Sequence, residues 1–130
     1  MPNFIHIREV GLRDGLQLIS TRLDTKTKQE WFQKQIEVGF KEIEITSMVP
    51  KKILPQFSDA VSLINFANTF SECVSCVLVP NLKGAHLAFK AKAKKLIFVL
   101  SASEAHNLAN VRMTIQKSVS ELKEIISLKK

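Results

Sequence analysis

An α/β fold built on a parallel sheet is what this 130-residue sequence predicts. Four short aliphatic, β-branched runs recur along the chain, and each is followed by a stretch whose apolar residues fall at helical spacing. No linker or low-complexity segment breaks the alternation, which implies parallel strands joined by right-handed crossovers. Two architectures satisfy the pattern. One is an open doubly wound sheet, self-sufficient at this length. The other is a partial (β/α)8 barrel of about four β/α units, since a whole barrel needs roughly 250 residues.

The first strand is Phe4-Ile5-His6-Ile7-Arg8-Glu9-Val10, and a glycine-containing loop runs from Gly11 to about Leu23. Asp24 or Thr25 caps a helix that continues to about Val38, with Trp31, Phe32 and Ile36 on its apolar face and Gly39 as its stop. Glu42-Ile43-Glu44-Ile45-Thr46 alternates with period two and is the second strand. Pro50 and Pro55 bracket a loop, after which Phe57, Ala60, Val61 and Ile64 keep the spacing of an amphipathic helix. The third strand covers about Val74 to Val79, and Pro80-Asn81 turns the chain into a short helix bearing Leu82, Ala85 and Phe89. Lys95-Leu96-Ile97-Phe98-Val99-Leu100 is the fourth strand. A long polar loop follows from Ser101 to about Arg112, then a helix from about Thr114 to Leu128 with Ile115, Val119, Leu122 and Ile126 on one stripe. Residues 1–130 read as one domain.

With 45% hydrophobic and 24% charged residues, the chain has the composition of a globular domain rather than a disordered one. Its net charge of +7 raises the question of a polyanionic partner. The lysines are scattered, however, and with no tyrosine and no aromatics set among them there is no platform for stacking bases. No nucleic-acid partner is therefore expected. No apolar run approaches the roughly 18 residues of a membrane span, and Met1-Pro2-Asn3-Phe4-Ile5 lacks the features of a leader, so a cytoplasmic location is expected. Cys73 and Cys76 form a single C-x-x-C, but residues three apart on a strand face opposite ways, so both read as core residues.

In either architecture ligands gather where the strands end. After the first strand comes Gly11-Leu12-Arg13-Asp14-Gly15-Leu16-Gln17, a cation beside a carboxylate between two glycines. Asp14 is suited to a hard divalent cation and Arg13 to a developing oxyanion; the plain alternative is a surface ion pair in a tight turn. No glycine-rich nucleotide fingerprint follows any strand.

Arg8-Glu9-Val10-Gly11-Leu12-Arg13-Asp14-Gly15-Leu16-Gln17 resembles the E-V-G-x-R-D-G-L-Q signature that opens hydroxymethylglutaryl-CoA lyases, metal-dependent TIM barrels. Ile43-Glu44-Ile45-Thr46-Ser47 is similar to the family's I-E-x-T-S, and Pro55-Gln56 with Asp59 to its P-Q-x-x-D. Val79-Pro80-Asn81-Leu82-Lys83-Gly84 resembles its P-N-x-K-G turn, and Ser101-Ala102-Ser103-Glu104-Ala105-His106-Asn107 its S-A-S-E-x-H-N loop. The likeness runs from about Phe4 to Thr114, in order, and selects the barrel: an N-terminal half of it.

The resemblance implies retro-Claisen cleavage of an acyl-CoA substrate, 3-hydroxy-3-methylglutaryl-CoA, to acetyl-CoA and acetoacetate, with bound Mg2+ or Mn2+. Carried over by position, Asp14 is a metal ligand, and Arg13 binds the substrate carbonyl and stabilises the departing enolate. Gln17 and Glu44 support the site, Glu44 by hydrogen bonding near Arg13 and the metal. Asn81 and His106 are candidate substrate contacts, Asn107 and Asn110 organise their loop, and Glu9 supports the site from behind. His6 and His86 read as ordinary packing or surface residues.

The sequence departs from the family in Leu12, where Pro is usual, and in Met48-Val49-Pro50-Lys51, where F-V-S-P is usual. The family's H-x-H pair, ligand Asn and Cys-bearing loop come from later strands and have no counterpart, since His6, His86 and His106 form no H-x-H. Little or no lyase activity is expected of the chain alone. The unpaired edges of the first and fourth strands call for self-association or for a missing C-terminal half. A fragment or interrupted gene is the favoured reading over a split enzyme. Two other readings stand beside the lyase: half of a related Claisen-type synthase, such as an isopropylmalate or homocitrate synthase, and a non-catalytic remnant.

Overall fold

The computed structural model describes residues 5–128. Four strands, β1 (Arg8–Glu9), β2 (Glu42–Ser47), β3 (Val74–Val79) and β4 (Lys95–Phe98), lie in the order β1-β2-β3-β4, and every neighbouring pair is parallel. Helices α1 (Thr25–Glu37), α2 (Ala60–Ala67) and α3 (Leu82–Lys90) form the crossovers, while α4 (Glu104–Val111) and α5 (Ile115–Ser127) follow β4. Sequential neighbours in a parallel sheet are what uninterrupted β/α alternation dictates.

Local signals set the helix ends. The Asp24 carboxylate accepts from Thr27 N–H at 2.8 Å, and the Asn81 side chain accepts from Gly84 N–H at 2.8 Å. Ser103 and Thr114 cap α4 and α5 in the same way through their hydroxyls. Gly39 follows α1 at φ +103°, a conformation open to glycine at no steric cost.

Register assigns the two faces of the sheet. Ile43, Val77, Val79, Leu96 and Phe98 belong to a core shared with Phe32 of α1, Leu63 and Ile64 of α2, and Ala85 and Ala88 of α3. Phe32, Phe66 and Phe70 pack edge to face, with centroids 5.2–6.2 Å apart. The other face carries the charges, alongside the buried Cys76 and Leu78 of β3. Arg8 lies opposite Glu42 and Cys76 opposite Lys95, and the Glu42 carboxylate meets side chains from all three other strands. It accepts from Arg8 Nε at 2.5 Å, from Cys76 Sγ at 3.5 Å and from Lys95 Nζ at 2.9 and 3.0 Å.

Several expectations are corrected. Strand pairing in β1 is confined to Arg8 and Glu9; Ile5 and Ile7 are exposed, and Phe4 lies outside the described residues. β1 is an edge strand and β2 begins at Glu42, so Ile5, His6 and Ile7 have no strand partner among the described residues. The period-two pattern of β2 is interrupted, because the register shifts between Glu44 and Thr46 and leaves Ile45 at a bulge. β4 ends at Phe98, two residues early.

The polar stretch after Ser101 is not a loop throughout, since most of it is α4. Its buried anchor is an amide rather than an aliphatic residue, so apolar periodicity had nothing to detect. Asn107 accepts from Ser101 N–H and donates to the Met113 carbonyl and to Ser118 Oγ, as expected of a residue that organises this segment. α5 consequently turns Ser118 and Ile125 inward and leaves Ile126 exposed. Val61 and Phe89 are likewise exposed, with Leu63 and Ala88 in the core places instead.

Cys73 and Cys76 are free and buried on opposite sides of the sheet, as their spacing requires. Burial, reinforced by the adjacent Glu42 carboxylate, pushes the Cys76 thiol up to about 12.

Lys95, and then Arg8, hold the Glu42 carboxyl down to about 2 against the opposing effect of burial. A carboxyl depressed in the folded state stabilises the fold above its unfolded value near 4.5 and loses that contribution as pH falls towards 2. Solvent screening holds the contribution to about 1 kcal/mol. Glu42→Gln should therefore lower the unfolding free energy at pH 7 by about 1 kcal/mol in urea denaturation and flatten the decline in stability between pH 4.5 and 2. Equal acid slopes for the two proteins would show that Glu42 does not carry this dependence.

Candidate active site

The connection from β1 to α1 opens with a tight turn. The Val10 carbonyl accepts from the N–H groups of Arg13, Asp14 and Gly15 at 3.1, 2.7 and 3.5 Å, a wide helical turn over Gly11–Gly15. Leu12 and Leu16 are buried in the core and anchor it from below. With those two leucines pointing inward, Arg13, Asp14 and Gln17 are turned outward over the strand ends. Leu12, the departure from the family's proline, is one of the anchors. Gly11 is required by proximity: a Cβ there would lie 2.9 Å from Glu9 Oε1 and 3.0 Å from the Trp31 ring. Glu9 accepts from Gly11 N–H at 2.8 Å and from the Gln35 amide. It thus braces the turn from the helix side, and no hydrogen bond links it directly to Arg13.

Arg13 is held by three residues. Its Nε and Nη2 both lie 2.7 Å from Glu44 Oε2, its Nη1 lies 2.8 Å from Asp14 Oδ1, and the same Nη1 is 3.5 Å from Gln17 Oε1. The Glu44 side chain is only 4% exposed, whereas that of Asp14 is 55% exposed. Burying a carboxylate costs several kcal/mol unless it is paired and hydrogen-bonded. Arg13 supplies a hydrogen bond from Nε and a close ion-pair contact from Nη2 to one oxygen, and Arg8 Nη1 lies 3.7 Å from the other. Lys95, Glu42, Arg8, Glu44, Arg13 and Asp14 therefore form a ladder of alternating sign along the polar face, ending at the strand tips.

Beside Arg13 lies a cavity of about 450 Å³. Arg13 and Gln17 line it from the first connection, Leu54 from the second, Leu78 from β3, Val99 from just beyond β4 and Asn110 from α4. Arg13 and Gln17 are thus gathered with the tips of the other three strands, while Asp14 does not line the cavity. The cavity combines apolar walls with a few convergent polar groups, the usual make-up of a small-molecule site.

Of the residues selected from sequence, Arg13, Asp14, Gln17 and Glu44 come together. Asn81 and His106 do not line this cavity. Asn81 uses its side-chain oxygen to cap α3 and lines a separate crevice with Lys51, Lys52 and Lys83. His106 is exposed, with Nδ1 2.7 Å from Ser101 Oγ. His86 is exposed on α3, and His6 lines a cleft with Val38, Phe40 and Val74. Arg8, Glu42 and Lys95 were not selected, although they complete the ladder. Their signal was available: charged residues placed within β-rich runs. Among the described residues no group of three His, Cys, Asp or Glu side chains is placed to hold a metal ion, so these residues do not by themselves fit a divalent cation.

A family model described as HMGL-like matches residues 4–130. The mitochondrial hydroxymethylglutaryl-CoA lyase of Arabidopsis thaliana is 40% identical over 119 residues, 92% of this chain and 25% of that protein. The cytoplasmic 3-hydroxy-3-methylglutaryl-CoA lyase of Homo sapiens is 32% identical over 126 residues, 97% of this chain and 34% of that one. Among solved structures, an HMG-CoA lyase from Acinetobacter baumannii in complex with coenzyme A and 3-methylmalate superposes with a TM-score of 0.87 at 38% identity, over 93% of this chain and 40% of that one. The Bacillus subtilis HMG-CoA lyase gives 0.89 at 32% identity, over 97% and 42%. The chain thus spans between a quarter and about two fifths of the length of these relatives. Its four parallel strands and alternating helices are a partial (β/α)8 barrel.

Because Gly11 has no room for a side chain, Gly11→Ala should destabilise the protein by about 1–3 kcal/mol in urea denaturation. Trp31 emission should shift with it, since the ring must move. A variant with unchanged midpoint and emission would mean that the turn tolerates the extra methyl group.

Proposed function

The chain belongs to the HMGL-like family, and from that premise we propose that Arg13, Glu44, Gln17 and Asp14 are its share of a carbon–carbon lyase site. The reaction is retro-Claisen cleavage of 3-hydroxy-3-methylglutaryl-CoA. As the tertiary hydroxyl loses its proton, its oxygen forms the ketone of acetoacetate. The carbon–carbon bond breaks, and its electron pair passes to the thioester as an enolate. Protonation of the enolate carbon gives acetyl-CoA.

The chemical difficulty is the negative charge that develops on the thioester oxygen. A preorganised cation aimed at that oxygen lowers the barrier most where water is excluded. Glu44 takes up Arg13 Nε and Nη2 and so fixes the plane of the guanidinium. Nη1 remains, bonded to the exposed Asp14 and only loosely to Gln17. In this reading Nη1 turns from Asp14 to the substrate oxygen, and Gln17 keeps the guanidinium from swinging away. A rigid carboxylate on one edge and an exchangeable one on the other is the arrangement this role requires. The single observation that carries the proposal is the Arg13–Glu44 pair at the strand tips beside the cavity.

An acyl-CoA substrate is supported by the coenzyme A in the Acinetobacter baumannii relative. For the Mg2+ or Mn2+ of this reading, Asp14 is the carboxylate this chain brings, and the other donors come from residues beyond those gathered here. Asn81 and His106 stand at the margin of this reading, because both side chains already serve local bonds. The whole activity belongs to a complete barrel.

The experiment is to combine the chain with the separately produced C-terminal half of the Bacillus subtilis lyase and to measure acetoacetate release with Mn2+. Restored cleavage is expected, with kcat lowered at least about 100-fold by Arg13→Ala, in line with loss of an oxyanion donor. Asp14→Ala should raise the Mn2+ concentration needed for half-maximal rate. An assembled barrel that releases no acetoacetate, or one indifferent to Arg13→Ala, would refute the assignment.

A further inference from the structure

Lys28 is the fourth residue of α1 and is 1% exposed, with its ammonium turned away from water. Such a group is tolerated only when each of its three donors has a partner. Here Nζ meets Asp59 Oδ1 and Oδ2 at 2.9 and 3.0 Å and the Gln56 carbonyl at 2.5 Å. Asp59 Oδ2 also accepts from Thr25 Oγ1 at 2.9 Å. Four residues from α1 and from the connection after β2 are thereby locked around one cation. An apolar side chain would fill the same space but would not fix the direction of the Gln56 carbonyl.

That direction matters because of what Gln56 does next. Its side-chain Nε2 donates to the Ile19 carbonyl at 3.0 Å, and the neighbouring Ser58 hydroxyl bonds to Arg22. Ile19 is two residues beyond Gln17, in the segment joining the Arg13–Gln17 turn to α1. Little burial restrains the start of this segment, where Leu18 is 81% exposed and Ile19 40%, although Leu23 at its far end packs against the core. Its two side-chain ties both reach the short turn Pro55–Phe57 and the residue after it, the very stretch that Lys28 holds.

We propose that Lys28, Asp59 and Gln56 are positioning residues for the Arg13–Gln17 turn, acting through the Ile19 carbonyl. The buried ammonium fixes the second connection, and the second connection fixes the first. The functional part of this inference rests on the lyase reading of that turn, where a displacement of about 1 Å can cost on the order of 100-fold in rate. The positional part does not.

The test uses the whole chain and needs no substrate. In hydrogen–deuterium exchange, Gln56→Ala should speed exchange at the Arg13–Leu16 amides at least about tenfold, with β3 amides unchanged within about twofold. The Arg13 Nε–H resonance, set by its bond to Glu44, should shift in the same variant. Gln56→Glu keeps the length of the side chain but loses the donor, and should behave like Gln56→Ala. Lys28→Met should reproduce the effect and Lys28→Arg should partly reverse it. If Lys28→Met fails to fold, the partly exposed Gln56 decides the matter. Turn amides that exchange as in the wild type would overturn the proposal, as would equal acceleration in β3 or an unmoved Arg13 resonance. None of these outcomes depends on whether the completed barrel cleaves a thioester, so failure of the lyase reading remains distinguishable.

Discussion

Six charged side chains alternate in sign along the face of the sheet turned away from the helices, from Lys95 through Glu42, Arg8, Glu44 and Arg13 to Asp14. Three cations and three carboxylates leave the run formally neutral; Lys95, Arg8 and Asp14 reach solvent, while Glu44 is buried. This balance lets the protein bury Glu44 and half-bury Arg13 without stranding either charge. The main hydrophobic core lies on the other side, while the charged face also carries the buried Cys76 and Leu78. The Arg13 guanidinium lies near the upper end of the charged run, oriented by Glu44 on one side and Asp14 on the other.

The turn that carries Arg13 divides its duties by residue type. Leu12 and Leu16 provide burial, Gly11 provides closeness to Glu9 and Trp31, and the polar residues between them are left for the cavity. Outside the turn, support comes from side chains that never reach the cavity: Glu9 and Gln35 from behind, Gln56 and the Lys28–Asp59 pair from the side. The P-Q-x-x-D stretch is accounted for by these bonds, in which Gln56 and Asp59 are connectors rather than ligands.

Much of this was legible in order along the chain. β3, α1 with its Asp24 cap, and the stop at Gly39 are local consequences of β-branched runs, a capping carboxylate and a residue free to take positive φ. Where reading failed, a long-range partner had decided the outcome. Ile5 and Ile7 look like strand residues but have no neighbour to pair with. α4 looks polar because its anchor, Asn107, is satisfied by Ser118 and Met113, residues that only folding brings near it. The helical stripes of α2, α3 and α5 were each misjudged at one or more positions, since the inward face depends on the angle at which a helix meets its neighbours.

What the sequence by itself determined was the alternation of strands and helices, their parallel order and the residue types at each strand tip, because propensity, capping and periodicity act over a few neighbours. Only the tertiary structure decided that Arg13 lays both Nε and Nη2 against one Glu44 oxygen, that Asn81 is occupied as a cap, and that a lysine in the second helical turn of α1 belongs to the interior. Those facts depend on distances between groups 28 to 31 residues apart, or on competition for a single oxygen, and neither is written in local order. Charge pairing is fixed by geometry after the strands have met, and a linear reading sees the charges without their partners.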